Sequence, residues 1–161
     1  LAPSIRDAVR LAAAEEATAI GRVVSGLPGH DDIPFIQGTR IVVPGGLVFP
    51  AGAADLPAAT RTSLSPLAAR LRRAVTELPA ELTWRVRIEG HAEPAEGPVG
   101  SRLTSAWSLS AARATAVAEA LAAEGVPPGR LVVVGDADTV PPTSREGGTT
   151  GRRVELRIGA R

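Results

Sequence analysis

The chain has 161 residues, a net charge of +1 and 44% hydrophobic residues, which suits one domain with a core and a short appendage. A nucleic-acid binder needs a basic stripe and aromatic rings for base stacking. This chain has a balanced charge and only two Phe and two Trp, which argues against that class. The absence of cysteine excludes disulfides, thiolate zinc sites and cysteine nucleophiles.

The N-terminal segment is predicted to be a helix from Ser4 to Ser25, beginning with a capping-box pair, Ser4 and Asp7. Its apolar residues are mainly Ala and Val, so it would be marginal alone and is expected to pack on the domain or on a second copy. The Pro- and Gly-containing stretch Gly26–Gly38 predicts a linker, which divides the chain into 1–38 and 39–161. No apolar run reaches about 18 residues, and because the chain begins at Leu1 we expect a membrane anchor upstream.

The next elements alternate between strand and helix. The β-branched run Thr39–Val43 predicts a strand, and Leu64 to Leu78 shows the apolar spacing of a helix, which either kinks at Pro66 or restarts there with Ser65 as its cap. Trp84 to Glu89 alternates between apolar and charged residues, as a half-buried strand does.

The last third of the chain predicts a helix from Trp107 to Glu124, ended by Gly125. Leu131 to Val134 is wholly apolar and predicts a strand buried on both faces, and Val154 to Ile158 alternates as a final strand. A parallel strand–helix–strand crossover followed by an antiparallel strand predicts an α+β fold. This is a two-layer sandwich with a mixed four-stranded sheet and helices on one face, preceded by the N-terminal helix.

Arg113 lies within the apolar arc of the predicted helix, where a guanidinium needs an anionic partner because it cannot lose its charge. Glu93 follows the strand that ends at Glu89, at the carboxyl end where β-α-β units bind ligands. The two side chains could therefore line one crevice for a zwitterionic ligand. The alternative is an internal salt bridge, with each other or with another group of the domain.

Four short motifs occur along the chain, at Phe49 to Leu56, Gly90 to Glu93, Ser105 to Ala114 and Gly151 to Leu156. Together they resemble motifs of the OmpA C-terminal-like domains, in particular their MotB-like branch. Gly90-His91-Ala92-Glu93 is similar to Gly-His-Thr-Asp, and Ser105 to Ala114 is similar to Ser-Asn-Trp-Glu-Leu-Ser-x-x-Arg-Ala. Gly151 to Leu156 resembles Asn-Arg-Arg-Val-Glu, and Phe49 to Leu56 resembles Phe-x-x-Gly-Ser-Ala-x-Leu. Each motif alone is weak, but the four occur in the family's order between Thr39 and Ile158.

The resemblance implies a peptidoglycan-binding domain that holds the diaminopimelate of the peptide stem. By position, Glu93 would meet the ammonium group and Arg113 the carboxylate. The full set of candidate ligand-binding residues is Glu93, Arg113, His91, Ala92, Ala106, Leu109 and Arg152. The chain departs from the family pattern because Glu93 replaces Asp, and Ala106 and Gly151 replace Asn. Each lost neutral hydrogen bond would weaken binding by roughly 0.5–1.5 kcal/mol.

By this resemblance the chain is expected to be a non-enzymatic, periplasmic anchor that binds peptidoglycan without covalent attachment, as part of a MotB-type, stator-like membrane protein. A homodimer is expected, with no cofactor, metal or nucleic acid. The cluster His30-Asp31-Asp32 is read as a solvated turn in the linker, and a hydrolase using Glu93 and Glu96 is disfavoured because no nucleophile or general-acid environment is evident. The alternative function is a protein-interaction or dimerisation module whose pocket is degenerate.

Overall fold

The computed structural model describes residues 4–8, 10–11, 14–15, 34–35, 38–41, 49–93, 105–139 and 151–160. Within these ranges the strands are β1 (Pro34–Phe35), β2 (Gly38–Ile41), β3 (Trp84–Gly90), β4 (Leu131–Gly135) and β5 (Val154–Ala160). After the N-terminal segment, the helices are α1 (Ala58–Ser63), α2 (Ser65–Glu77) and α3 (Ala106–Ala123), and a short 3-10 turn covers Pro128–Arg130.

The strands form one mixed sheet in the order β1-β2-β5-β3-β4. β3 and β4 are parallel neighbours joined through α3, and β5 lies antiparallel between β2 and β3. The predicted parallel pair and antiparallel last strand are therefore confirmed. The predicted count of four strands is wrong for the described residues, which contain five, because Pro34–Phe35 pairs with β2 inside the stretch assigned to the linker. The domain boundary at residue 38 stays a prediction.

The core lies between one face of the sheet and the helices α2 and α3. Trp84, Val86 and Ile88 alternate along β3 and are buried, as their period of two predicts. They share one apolar cluster with Leu67 and Leu71, which lie one turn apart on α2. Val117 and Leu121 of α3 belong to the same cluster, so the two helices cover the same face of the sheet.

Of the two alternatives at Pro66, a kink or a new helix, the structure shows a new helix, with a different cap. α1 ends at Ser63 and α2 begins at Ser65, with Pro66 in its first turn, where a missing N–H costs nothing. The N-cap residue is Leu64, not Ser65. The Ser65 hydroxyl instead donates to Glu124 Oε1 at 3.1 Å, which joins the start of α2 to the end of α3.

The prediction that β4 is buried on both faces is wrong. β4 is the edge strand of the described sheet, and its residues are half-buried or exposed, with Val133 at 41%. An apolar run of four residues, Leu131–Val134, indicates a strand, but the position of that strand in the sheet depends on how the other strands pair. Here β3 takes the central position between β4 and β5.

Described residues of the N-terminal segment are helical at positions 5–8, 10–11 and 14–15. The predicted capping pair is confirmed: Ser4 Oγ accepts from the Asp7 N–H at 3.3 Å, and Asp7 Oδ2 accepts from the Ser4 N–H at 3.3 Å. The described side chains of this helix are exposed, including Ile5 and Leu11. Among the described helices, none combines the length and hydropathy needed to cross a membrane.

The first turns of α3 approach the carboxyl ends of β3 and β4 at two glycines that pair with each other, Gly90 and Gly135. A Cβ on Gly90 would lie 1.9 Å from the backbone oxygen of Ser110, and one on Gly135 would lie 3.0 Å from Ala111 Cβ. Backbone therefore packs directly on backbone here, which only glycine at position 90 allows. This approach places Arg113, one turn beyond Ser110, beside the loop that follows β3.

We expect Gly90→Ala to lower the free energy of unfolding by about 3 kcal/mol or more, because the added methyl meets a helix backbone that cannot move aside. Gly129→Ala is the matched control, since a Cβ there would meet no atom within 4 Å. Its effect should stay within about 1 kcal/mol. Urea denaturation of both variants measures the difference, and equal stabilities would contradict the close approach of α3.

Candidate functional site

Arg113 is fully buried on the inner face of α3, one turn after Leu109 and one before Val117. Its position within the apolar arc was predicted correctly. Its guanidinium donates through Nε to the Ala53 carbonyl at 2.9 Å, through Nη1 to the His91 carbonyl at 3.2 Å, and through Nη2 to the Pro50 carbonyl at 3.0 Å. These carbonyl oxygens are strong acceptors that offset part of the cost of burying the charge.

The same guanidinium lies over the Phe49 ring, 5.4 Å from its centroid. Phe49, Pro50 and Ala53 belong to the segment before α1, and His91 to the loop after β3. Arg113 therefore joins three stretches of chain that are far apart in the sequence. Each of the three contains one of the four sequence motifs.

Glu93 belongs to the same loop as His91, and its partner comes from the fourth motif. Its Oε2 accepts from Arg152 Nη1 at 3.1 Å, an ion pair whose side chains are 38% and 29% exposed. A Cβ at Gly151 would lie 2.7 Å from Glu93 Cγ. The glycine that replaces the family's Asn thus leaves the space in which Glu93 lies, so these two departures from the family pattern are structurally linked.

The remaining predicted residues lie around these two arginines. Ala92 and Leu109 are buried, and the Ala92 N–H donates to the Ala137 carbonyl at 2.8 Å. Ala106 is half-buried at the start of α3, and the helix cap is Ser105, whose Oγ accepts from the Ser108 N–H at 3.0 Å. The loss of Asn at position 106 therefore leaves the cap intact. Contact of these residues with a ligand stays a prediction.

Ala137 has a positive φ of 50°, unusual for a residue with a side chain. Its N–H donates to Ser110 Oγ at 3.0 Å, and its carbonyl accepts from Ala92. Both hydrogen bonds are internal, so the loop after β4 is fixed to α3 on one side and to the loop after β3 on the other. This arrangement supports the backbone from which Glu93 projects.

His91, directly after β3, is almost completely buried. Its backbone is bonded on both sides, because its N–H donates to the Arg153 carbonyl at 2.8 Å and its carbonyl accepts from Arg113. Burial lowers the pKa of its imidazole below the usual 6.5, and the nearby charge of Arg153 lowers it further. The imidazole is therefore neutral at pH 7.

A layer of charged side chains lies on the sheet face opposite the core, and its ion pairs were not predicted. Arg87 of β3 lies opposite Arg157 of β5, which makes a row of two arginines across the strands. Glu89 lies opposite Glu155 and makes the next row, so positive and negative rows alternate along the two strands. The ion pairs cross between rows: Arg87 Nε to Glu89 at 2.6 Å, Arg157 Nε to Glu89 at 3.2 Å, and Arg153 Nε to Glu155 at 2.7 Å. The alternation of charged residues in both strands was the available signal.

The fold and the buried Arg113 junction together define an OmpA C-terminal-like α+β domain. A sequence model of the OmpA family matches residues 48–154, about two thirds of the chain, and the chain therefore belongs to this family. The resemblance drawn from the four motifs is confirmed. Among curated proteins, no significant match is found.

Solved structures with the same fold come from several bacteria. The periplasmic domain of Helicobacter pylori MotB (residues 78–256) is 21% identical, with a TM-score of 0.60 and coverage of 81% of this chain and 80% of that one. A MotB-like protein from Desulfovibrio vulgaris is 23% identical, with a TM-score of 0.55 and 96% coverage of both chains. The cell wall anchor of the T6SS from Pseudomonas aeruginosa is 24% identical, with a TM-score of 0.56 and coverage of 90% and 96%.

Replacement of the buried guanidinium should weaken the whole domain. We expect Arg113→Ala to lower the free energy of unfolding by about 3 kcal/mol or more, because three carbonyls lose their donor at about 1–3 kcal/mol each. Arg113→Lys should lose less, since it keeps the charge and some of the donors. Arg73→Ala, which breaks the exposed ion pair with Glu77 on α2, is the control and should cost under about 1 kcal/mol. Thermal and urea unfolding measure these differences in stability. An Arg113→Ala variant that loses no more stability than the control would contradict the prediction.

Proposed function

We propose that this chain binds peptidoglycan without covalent attachment and so anchors an envelope membrane protein to the cell wall. The ligand group is the zwitterionic end of a diaminopimelate-containing stem peptide. Glu93 receives the ammonium group, and the guanidinium groups of Arg152 and Arg113 receive the carboxylate. The protein is an attachment module and not an enzyme.

The observation that carries this proposal is the convergence of the four motifs on one place. Arg113 bonds the Phe49–Leu56 motif through Pro50 and Ala53, and the Gly90–Glu93 motif through His91. Glu93 in turn bonds Arg152 and contacts Gly151 in the last motif. Residues that serve only the core would not need a paired carboxylate and guanidinium at this partly exposed position.

Ligand binding here is an exchange of ion pairs. The Glu93–Arg152 pair is about one third exposed on each side, and pairs of this kind contribute only about 0–1 kcal/mol to stability. An incoming ammonium can replace Arg152 on Glu93 at little cost. The released Arg152 then presents a planar fork to the ligand carboxylate, which matches it in geometry.

The deeply buried Arg113 has a different part in this scheme. Because it donates to carbonyls on both sides of the site, it keeps the loop that carries Glu93 at a constant distance from the start of α1. A site that is already ordered before the ligand arrives loses less entropy on binding. Arg113 therefore supports the site in addition to receiving the carboxylate.

Support for a role as an envelope anchor comes from the relatives. The similar structures include periplasmic domains of MotB, a peptidoglycan-associated lipoprotein and the cell wall anchor of a secretion system. A periplasmic location, attached to a membrane through a segment before Leu1, follows from the same proposal.

A second candidate function is a protein-interaction or dimerisation module with a degenerate pocket. The observation that favours it is that Glu93 already has an internal ion-pair partner, and Arg113 already bonds three backbone carbonyls. A site whose charges are satisfied within the domain does not require a ligand. In this reading the exposed apolar residues of the N-terminal helix form the contact between copies.

The two candidates are separated by co-sedimentation with purified diaminopimelate-type sacculi. We expect the wild-type chain to sediment with sacculi, and Glu93→Gln to bind about tenfold to over a hundredfold more weakly, since a charge-assisted hydrogen bond contributes about 1.5–3 kcal/mol. Glu93→Asp keeps the charge and should retain binding. Glu77→Gln makes the same change in the exposed ion pair of α2 and should leave binding unchanged. Wild-type protein that ignores sacculi, or equal binding by Glu93→Gln, would favour the second candidate.

The dimer is tested through the N-terminal helix, where Ile5 and Leu11 are 85% and 63% exposed in the single chain. We expect the chain to sediment as a dimer in analytical ultracentrifugation, and Leu11→Glu to shift it to monomer, because burying an unpaired charge in the contact is costly. Arg10→Glu introduces the same residue at the neighbouring exposed position and should keep more of the dimer. A wild-type chain that is monomeric at all concentrations would contradict the prediction.

A further inference from the structure

Three potential metal ligands meet at the carboxyl ends of the parallel strands β3 and β4. Glu89 and His91 lie two residues apart at the end of β3, so they point to the same face of the sheet. Asp136 follows β4 directly, and its N–H donates to the Gly90 carbonyl at 2.9 Å, which continues the pairing beyond Gly135. One donor atom from each of the three side chains lies within 4.8 Å of the other two.

The imidazole of His91 indicates that this cluster is built for a ligand. His91 is 1% exposed, and in the described part of the chain neither Nδ1 nor Nε2 has a hydrogen-bond partner. A buried polar nitrogen without a partner destabilises the fold, and here two occur on one ring. A ring nitrogen of His91 lies within 4.8 Å of a carboxylate oxygen of Glu89 and of one of Asp136, so the ring faces the cluster.

The orientation of Glu89 is set by two arginines. Arg87 Nε lies 2.6 Å from its Oε1, and Arg157 Nε lies 3.2 Å from its Oε2. A carboxylate has about four lone-pair sites, so these contacts leave room for coordination. In metal sites the ligating carboxylates are commonly hydrogen-bonded by neighbouring groups, as Arg87 Nε bonds Glu89 here.

We propose that Glu89, His91 and Asp136 bind one divalent transition-metal ion, for which Zn²⁺ is the best match. An imidazole nitrogen selects Zn²⁺, Cu²⁺ or Ni²⁺ over Mg²⁺ and Ca²⁺, which prefer oxygen ligands alone. Three protein ligands leave further coordination positions for water or an external group. The proposal concerns the sheet face opposite the core and does not rest on peptidoglycan binding.

The surrounding charges set the expected strength of binding. The carboxylates of Glu89, Glu155 and Asp136 are balanced by the guanidinium groups of Arg87, Arg153 and Arg157, so the charge of the ion is not fully offset. The site is therefore weaker than a structural zinc site made of four thiolate and imidazole ligands. Binding of the metal ion stabilises the fold, because the three ligands come together only when β3 and β4 pair.

Isothermal titration of the chelator-treated chain with Zn²⁺ alone tests the site, alongside the thermal unfolding midpoint. We expect one ion per chain and a rise in the unfolding midpoint, with no comparable response to Mg²⁺ or Ca²⁺. Asp136→Asn and His91→Asn should each weaken binding by at least about tenfold, since the loss of even an outer partner of a ligand costs about 10- to 100-fold. His30→Gln removes the chain's other histidine and should leave binding unchanged.

A measurement on the wild-type chain keeps the test decisive if a variant fails to fold. Because the chain has two histidines, its imidazole nitrogen resonances can be assigned with the His30→Gln variant. Zn²⁺ should shift the ring signals of His91. Unchanged His91 signals at saturating Zn²⁺, binding lost in His30→Gln, or full-strength binding in folded Asp136→Asn and His91→Asn would each overturn the proposal.

Discussion

A buried guanidinium is the constraint on which the site depends. Arg113 cannot give up its charge, so the chain must bring acceptors to it, and these come from Pro50, Ala53 and His91. The need for these acceptors fixes the path of two loops at once. Glu93, two residues beyond His91, lies on one of these loops, and it is also held by its ion pair with Arg152 and by the space at Gly151.

The close packing of α3 on the sheet makes this arrangement possible. With no side chain at Gly90, the Ser110 carbonyl can approach the strand, and the buried arginine then reaches the loops at its end. The strained backbone of Ala137 is held by hydrogen bonds to the same helix and to the loop after β3. The candidate site is thus supported by α3 and by the loops that follow β3 and β4.

The two faces of the sheet carry different chemistry. One face packs against α2 and α3 through apolar side chains, while the other carries rows of arginine and glutamate that alternate in charge. Like charges lie directly opposite each other across β3 and β5, an unfavourable arrangement that the ion pairs between rows offset. At the end of this charged layer lies His91, so one residue belongs both to the loop bonded by Arg113 and to the cluster with Glu89 and Asp136.

Features that depend on neighbouring residues were determined by the sequence itself. Local patterns predicted the periods of β3, β5 and α3, the capping pair of Ser4 and Asp7, and the burial of Arg113. The short connections between elements predicted the parallel and antiparallel order of the last three strands. The four motifs also made it possible to predict the family from the sequence. Sequence reasoning failed for β1 and for the edge position of β4, because the choice of strand neighbours is made across the whole sheet.

Only the tertiary structure decided the partners of the charged groups. Glu93 and Arg152 are 59 positions apart, and Arg113 and Pro50 are 63 apart, so no local pattern relates them. The same holds for Asp136, which reaches Glu89 and His91 through the register of two parallel strands. Such contacts are set by register and by the close approach of backbones, and a single glycine at position 90 or 151 decides whether the approach is possible.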